Sequence, residues 1–149
     1  MSEGGILLVD KPGGMTSAEV VRVLKRRHRF GAIGHLGTLD PMATGLLPLC
    51  IDGGTKIAQF LAAECKAYTG TIRLGIATDT LDVTGATVAE APVPSLRAAD
   101  LEELAARLRG EQLQIPPMYS AVKIEGRELY KRARAGEVVE RTPRPVVIH

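Results

Sequence analysis

Short apolar runs, helical spacings and Gly-Pro breaks succeed one another along this chain, and they predict strands and helices in alternation. Ile6 to Val9 is an apolar run ahead of Pro12-Gly13-Gly14, which reads as a strand stopped by a turn. Thr16-Ser17-Ala18-Glu19 has capping-box spacing, and Val20, Val21 and Leu24 supply one apolar face. A helix is predicted from there into the basic run Lys25-Arg26-Arg27-His28-Arg29. From Gly34 to Pro48 the glycines and prolines are too dense for a helix, so this segment reads as a stiff loop. Ile57, Phe60 and Leu61 return to helical spacing and predict a second helix over 55–63.

The period changes at Tyr68. Tyr68, Gly70, Ile72, Leu74 and Ile76 alternate with Thr69, Thr71, Arg73 and Gly75, the signature of a strand with one buried face. Thr87 to Glu90 would pair with it across the Gly85 turn. Leu101, Leu104, Ala105 and Leu108 mark a helix closed by Gly110. Beyond Pro116-Pro117, Tyr119 to Ile124 reads as a strand and Arg127 to Ala135 as a short basic helix. Arg144 to His149 reads as a strand just begun, without partners. No repeat or composition shift marks a boundary, so residues 1–149 read as one domain, an α+β fold with a mixed, largely antiparallel sheet and flanking helices.

Composition narrows the classes. Hydrophobic residues are 45% and charged ones 24%, ordinary for a globule, but aromatic residues are only 3% and Trp is absent, so aliphatic side chains must fill the core. No basic leader and no stretch near the roughly 18 apolar residues of a membrane span is visible, and a cytoplasmic location is expected. Cys50 and Cys65 stand alone, with no zinc or disulfide pattern. The net charge of +2 is small, yet from Ser120 to His149 there are seven Lys/Arg against four Glu. A run of that kind is more often a solvated face than an RNA site.

Within the Gly-Pro loop, Asp40 precedes Pro41, which fixes its own φ and drives Asp40 toward an extended pose. A carboxylate held that way can serve chemistry, or it can merely close a turn by bonding its own backbone. Gly53-Gly54-Thr55-Lys56 lacks the order and spacing of a phosphate loop. Asp79 and Asp82 lack the oxygen-rich spacing of a calcium site. No metal is expected.

Four motifs settle which reading of Asp40 to prefer. Gly34 to Leu47, reading Gly-His-Leu-Gly-Thr-Leu-Asp-Pro-Met-Ala-Thr-Gly-Leu-Leu, resembles the catalytic motif of TruB-type tRNA pseudouridine-55 synthases. Leu8 to Ser17 resembles that family's N-terminal motif. Lys66-Ala67-Tyr68 followed by Leu74 to Asp82 resembles its tyrosine and acidic motifs, and Pro116 to Lys123 resembles the start of its RNA-gripping loop. The resemblance implies isomerisation of a T-loop uridine in tRNA, with no redox cofactor, nucleotide or metal, and with Asp40 as nucleophile. Tyr68 would stack on the uracil and move a proton. His35 would fill the space left by the flipped nucleotide, and Asp82 would join a carboxylate and arginine network. Lys123, Lys131 and Arg132 could contact RNA phosphates.

The resemblance also implies a monomer when complete. The arginine expected beside Asp40, and a small RNA-binding domain, would lie beyond His149. Residues 1–149 would then be the N-terminal portion of the catalytic domain, expected to be inactive alone. Cys50 to Gly54 departs from the family's Gly-x-Ala before Thr-Lys. The rival reading is a noncatalytic RNA-binding or tRNA-folding module.

Overall fold

The computed structural model describes residues 4–61 and 65–149. Its Cα packing divides into two compact units, Met1–Thr69 and Gly70–His149, a division that no composition shift in the sequence foreshadows.

The first unit is a three-stranded antiparallel sheet with one long helix. Strand β1 (Gly5–Lys11) and strand β2 (Ile33–His35) flank β3 (Gly45–Ile51), in the order β1-β3-β2. Leu7 pairs with Leu49 and Val9 with Leu47, which puts all four on one face. Helix α1 (Ser17–His28) covers that face with Val20, Val21 and Leu24, and Leu47, Leu49 and Val20 form the buried centre. On the opposite face Ile6, Leu8 and Leu46 stay exposed.

Helix α1 starts where its sequence signal lies. The Thr16 hydroxyl accepts from Glu19 N–H at 3.1 Å, and Thr16 N–H donates back to the Glu19 carboxylate at 2.8 Å. That backbone bond is the first cause holding the Glu19 carboxyl below its usual value.

β3 corrects the sequence reading, since the second half of the supposed loop is the central strand despite Pro48. A strand residue turns its N–H and C=O to the same edge. The Pro48 carbonyl accepts from Leu36 N–H at 2.9 Å, so the missing donor faces β2 just where β2 ends. The true loop is therefore 36–44. The helix expected over 55–63 is a 3-10 turn (Asp52–Ile57) and a single α-turn, α2 (Ala58–Leu61); Ala63 lies outside the described residues. A Cβ at Gly54 would run into the Gly5 carbonyl, so only glycine lets that turn close on β1.

The second unit is built from small antiparallel pairs. β4 (Ile76–Thr78) pairs with β5 (Thr87–Glu90), and α3 (Ala98–Leu108) leads into β6 (Gly110–Gln114). β7 (Lys123–Ile124) and β8 (Arg127–Glu128) form a tight hairpin that runs directly into α4 (Leu129–Arg134), and β9 (Arg144–Ile148) pairs along β6.

Four expectations change here. The strand expected from Tyr68 shrinks to Ile76–Thr78, and 65–73 has no regular structure: alternation supplies a face, but no described strand lies alongside to take its hydrogen bonds. The strand expected over 119–124 is only Lys123–Ile124, because the chain bends over 118–121. The basic helix begins at Leu129, Arg127 and Glu128 being taken by the hairpin. The last strand does have a partner, β6, which the sequence did not reveal. The fold class stands as α+β.

Candidate active site

Asp40 sits near the middle of the loop joining His35 of β2 to Gly45 of β3, and its backbone neighbours are clamped on both sides. On the N-terminal side, the fully buried Ser17 hydroxyl accepts from Leu39 N–H at 3.0 Å and donates to Leu39 C=O at 3.3 Å. On the C-terminal side, the Pro41 carbonyl accepts from Gly14 N–H at 2.7 Å and from Lys11 Nζ at 3.2 Å. Asp40 C=O itself accepts from Ala43 N–H at 3.0 Å, completing a turn. Leu39 and Pro41 are thereby fixed by partners distant in sequence, and Asp40 between them by a local turn.

Lys11 makes this possible. It is completely buried, and its ammonium donates to Pro12, Met15 and Pro41 carbonyls at 2.9, 2.7 and 3.2 Å. An ammonium has three N–H donors, and all three are used; left unsatisfied, its burial would be prohibitive. Gly14, at φ +83°, gives the turn the conformation that aims its N–H at Pro41. Neither Lys11 nor Ser17 was singled out from the sequence. Lys11 was findable, because Leu7, Val9 and Lys11 alternate onto the buried face and put an amine where an aliphatic side chain belongs.

The Asp40 carboxylate is exposed and accepts no hydrogen bond among the described residues. The turn that it heads is closed by its backbone, not by its side chain. Asp52 contrasts with it, spending Oδ1 on Ala32 N–H at 2.9 Å. Asp40 is thus an uncommitted carboxylate between two residues whose backbones are held in place.

The other candidates fall into three groups. His35 lies at the loop's other mouth, at the end of β2 opposite Leu49, with a buried Nδ1 that has no hydrogen-bond partner. Tyr68 is 75% exposed on irregular chain and is not the strand residue expected. Asp82 belongs to the second unit, where Oδ1 accepts from Thr84 N–H at 2.7 Å and from the Thr84 and Thr80 hydroxyls at 2.6 and 2.9 Å. These bonds, led by the Thr84 hydroxyl, hold its carboxyl below the usual range. Asp82 closes a turn, and no arginine bonds it among the described residues.

Lys123, Lys131 and Arg132 are all ion-paired around the β7-β8-α4 hairpin. Lys131 meets Glu128 at 2.9 Å, Lys123 approaches the same carboxylate at 3.8 Å, and Arg132 forks between Glu137 at 2.8 Å and Glu125 at 3.3 Å. The hydrogen bond from Lys131 is the main cause lowering the Glu128 carboxyl, and that from Arg132 does the same to Glu137.

Comparison with known proteins bears on what this arrangement serves. The sequence profile of the TruB family pseudouridylate synthase N-terminal domain matches residues 25–149. The chain is 49% identical over 149 residues to tRNA pseudouridine synthase B of Psychrobacter cryohalolentis, an alignment covering 97% of this chain and 42% of that protein. It is 52% identical over 145 residues to the Aromatoleum aromaticum protein of the same name, covering 97% and 47%. Against the Opitutus terrae one it is 50% identical over 140 residues, covering 94% and 58%. The chain spans about half the length of the curated relatives it matches.

Among solved structures, a chain of a Cbf5-Nop10-Gar1 complex superposes with a TM-score of 0.52 at 25% identity, covering 80% of this chain and 31% of that one. An H/ACA RNP bound to a substrate RNA containing 2′-deoxyuridine gives 0.50 at 23%, covering 83% and 35%, a likeness of fold alone.

Proposed function

Since the chain belongs to the TruB family of pseudouridylate synthases, we propose that it forms the N-terminal part of an enzyme that converts a T-loop uridine of tRNA to pseudouridine, with Asp40 as nucleophile. The observation that carries this reading is the loop itself: an uncommitted carboxylate whose flanking residues are locked by Ser17 and Lys11. Rigid placement of a reacting group is worth more to catalysis than any single contact made by a mobile one.

The reaction breaks the bond from ribose C1′ to uracil N1, turns the base and rejoins C1′ to C5; a proton leaves C5 and one is gained at N1. The Asp40 carboxylate would form a transient adduct at C1′ or on the ring, holding one fragment while the base turns. Tyr68, exposed on irregular chain, would come to the base from its side and take or relay the C5 proton. His35 would occupy the space the flipped nucleotide vacates, since extraction of a base costs a few kcal/mol that loop contacts must offset.

Asp40→Asn in the protein that carries this chain is expected to abolish uridine isomerisation while leaving T-arm RNA affinity within a few-fold. Pseudouridine content measured beside a binding titration checks both. Turnover near wild type would remove Asp40 from the chemistry. Wild-type RNA binding without any turnover would favour the noncatalytic RNA-folding module instead.

A further inference from the structure

Cations of this chain differ in how far neighbouring carboxylates neutralise them, and isolated cations such as Lys56, Arg73 and Arg144 carry no ion pair among the described residues. Arg97, Arg107, Arg109, Arg127, Lys131 and Arg132 are each neutralised by a carboxylate of their own neighbourhood. Lys25, Arg26, Arg27 and Arg29, at the end of α1, are all exposed, and no carboxylate lies within ion-pair distance of any of them among the described residues.

Attraction to the helix dipole explains a cation or two in the last turn. It does not explain four. At 100° per residue, positions 25 to 28 spread over most of the circumference, and Arg22–Lys25 and Arg22–Arg26 become like-charge neighbours at the spacings that destabilise a helix. Arg29 adds a second cost, because it caps the helix in the left-handed conformation (φ 53°, ψ 34°), a place that glycine fills without strain. Its N–H still closes on Lys25 C=O at 3.1 Å. On the same turn His28 and Phe30 stack, with ring centroids 5.6 Å apart, in a chain with very few aromatics.

We propose that this helix end is a phosphate-binding surface for the RNA stem adjoining the reactive loop. The inference rests on the reading of the chain as an enzyme acting on RNA, and adds to it where the RNA backbone is held. Helix α1 supplies the geometry: its first residue, Ser17, bonds Leu39 beside Asp40, and its basic end lies about 16 Å away along a rigid axis at 1.5 Å per residue. One helix would thus set the distance between the reacting carboxylate and the gripped backbone. Around α4, Lys131 and Arg132 would have to break their own pairs to do the same work, and Arg134 lies over the Tyr130 ring.

The test is a titration of a fluorescent T-arm stem-loop against the protein that carries this chain, across about 50–200 mM salt, where each phosphate contact contributes roughly 0.7–0.9 to the slope of log affinity on log salt. Combined Lys25→Gln, Arg26→Gln, Arg27→Gln and Arg29→Gln should flatten that slope by about two units or more. Arg107→Gln with Arg109→Gln, which removes paired cations from the end of another helix, should change it by less than about half a unit. Arg29→Gly relieves the left-handed strain, so its melting temperature should hold or rise while the slope drops by up to about one unit.

An unchanged slope in the fourfold variant or in Arg29→Gly would overturn the proposal. Equal flattening per charge in the Arg107 and Arg109 control would overturn it too, reducing the effect to net charge. Pseudouridine formation is read in parallel. Conversion of RNA with a silent helix end sinks the surface and spares the catalytic reading; a cluster-dependent slope without conversion does the reverse.

Discussion

Leu39 and Pro41, on either side of Asp40, are held by hydrogen bonds from distant parts of the first unit. The Ser17 hydroxyl answers both polar groups of Leu39, so Ser17→Ala leaves a part-buried N–H and C=O without that partner, at a cost of about 1–3 kcal/mol. The larger effect is expected in function. Asp40 would drift, and turnover should fall about tenfold or more, since a misplacement near 1 Å costs up to about a hundredfold. RNA affinity should stay within a few-fold. Steady-state kinetics with a T-arm substrate separates the two, and an unchanged kcat would mean that the loop holds its pose without Ser17. The residues around Asp40 left a turn-closing role open, and it was the resemblance of Gly34 to Leu47 to a catalytic motif that singled the carboxylate out. The sequence concealed Ser17, whose task is defined only by how α1 packs on the loop.

At the scale of elements, what was legible depended on whether a signal is local. Helix α1 begins at its capping box, and α3 ends at Leu108, where Arg109 turns extended just before the predicted Gly110, because caps act over a few residues. β3 was hidden by Pro48, whose cost vanishes at the position where β2 stops. β6 and β9 were hidden by their separation, since each needs the other. The β7-β8-α4 hairpin carries a pH expectation. Glu128 and Glu137 have folded pKa values below the ordinary 4.5, so their contribution is complete above that pH and is lost as the pH falls through the lowered values. Amide protection at Leu129 and Tyr130, whose N–H groups bond Val122 and Ser120 at 2.8 and 3.0 Å, should decline below about pH 4.5 while β1 and β3 keep theirs. These pairs are exposed, so the decline should be modest and should weaken further in high salt. Protection that is flat to pH 3 would assign the hairpin's order to Leu129 packing instead.

For the whole molecule, the aliphatic composition has a visible outcome. Few side chains are fully enclosed, and Ile6, Leu8 and Leu46 stand 47%, 64% and 63% exposed on one face of the first sheet. Contiguous apolar surface of this kind promotes association. The chain should self-associate as its concentration rises, and Leu8→Thr with Leu46→Thr should reduce that without lowering the melting temperature appreciably. Sedimentation velocity over a concentration series decides it; a monodisperse wild type would show that the face is harmless as it stands.

Lys11 carries one more consequence, for chemical reactivity. An amine with no exposed surface and three carbonyl partners is shielded from acylating reagents, whereas Lys25 and Lys56 stand in the open. Lys11 should therefore be modified only when the Asp40 loop lifts from it, which makes its labelling rate a clock for that opening. Pulse acetylation followed by peptide mass spectrometry should find Lys11 the slowest amine among the described lysines, and Ser17→Ala should quicken it selectively. Labelling of Lys11 at the pace of Lys25 would mean that the loop opens freely.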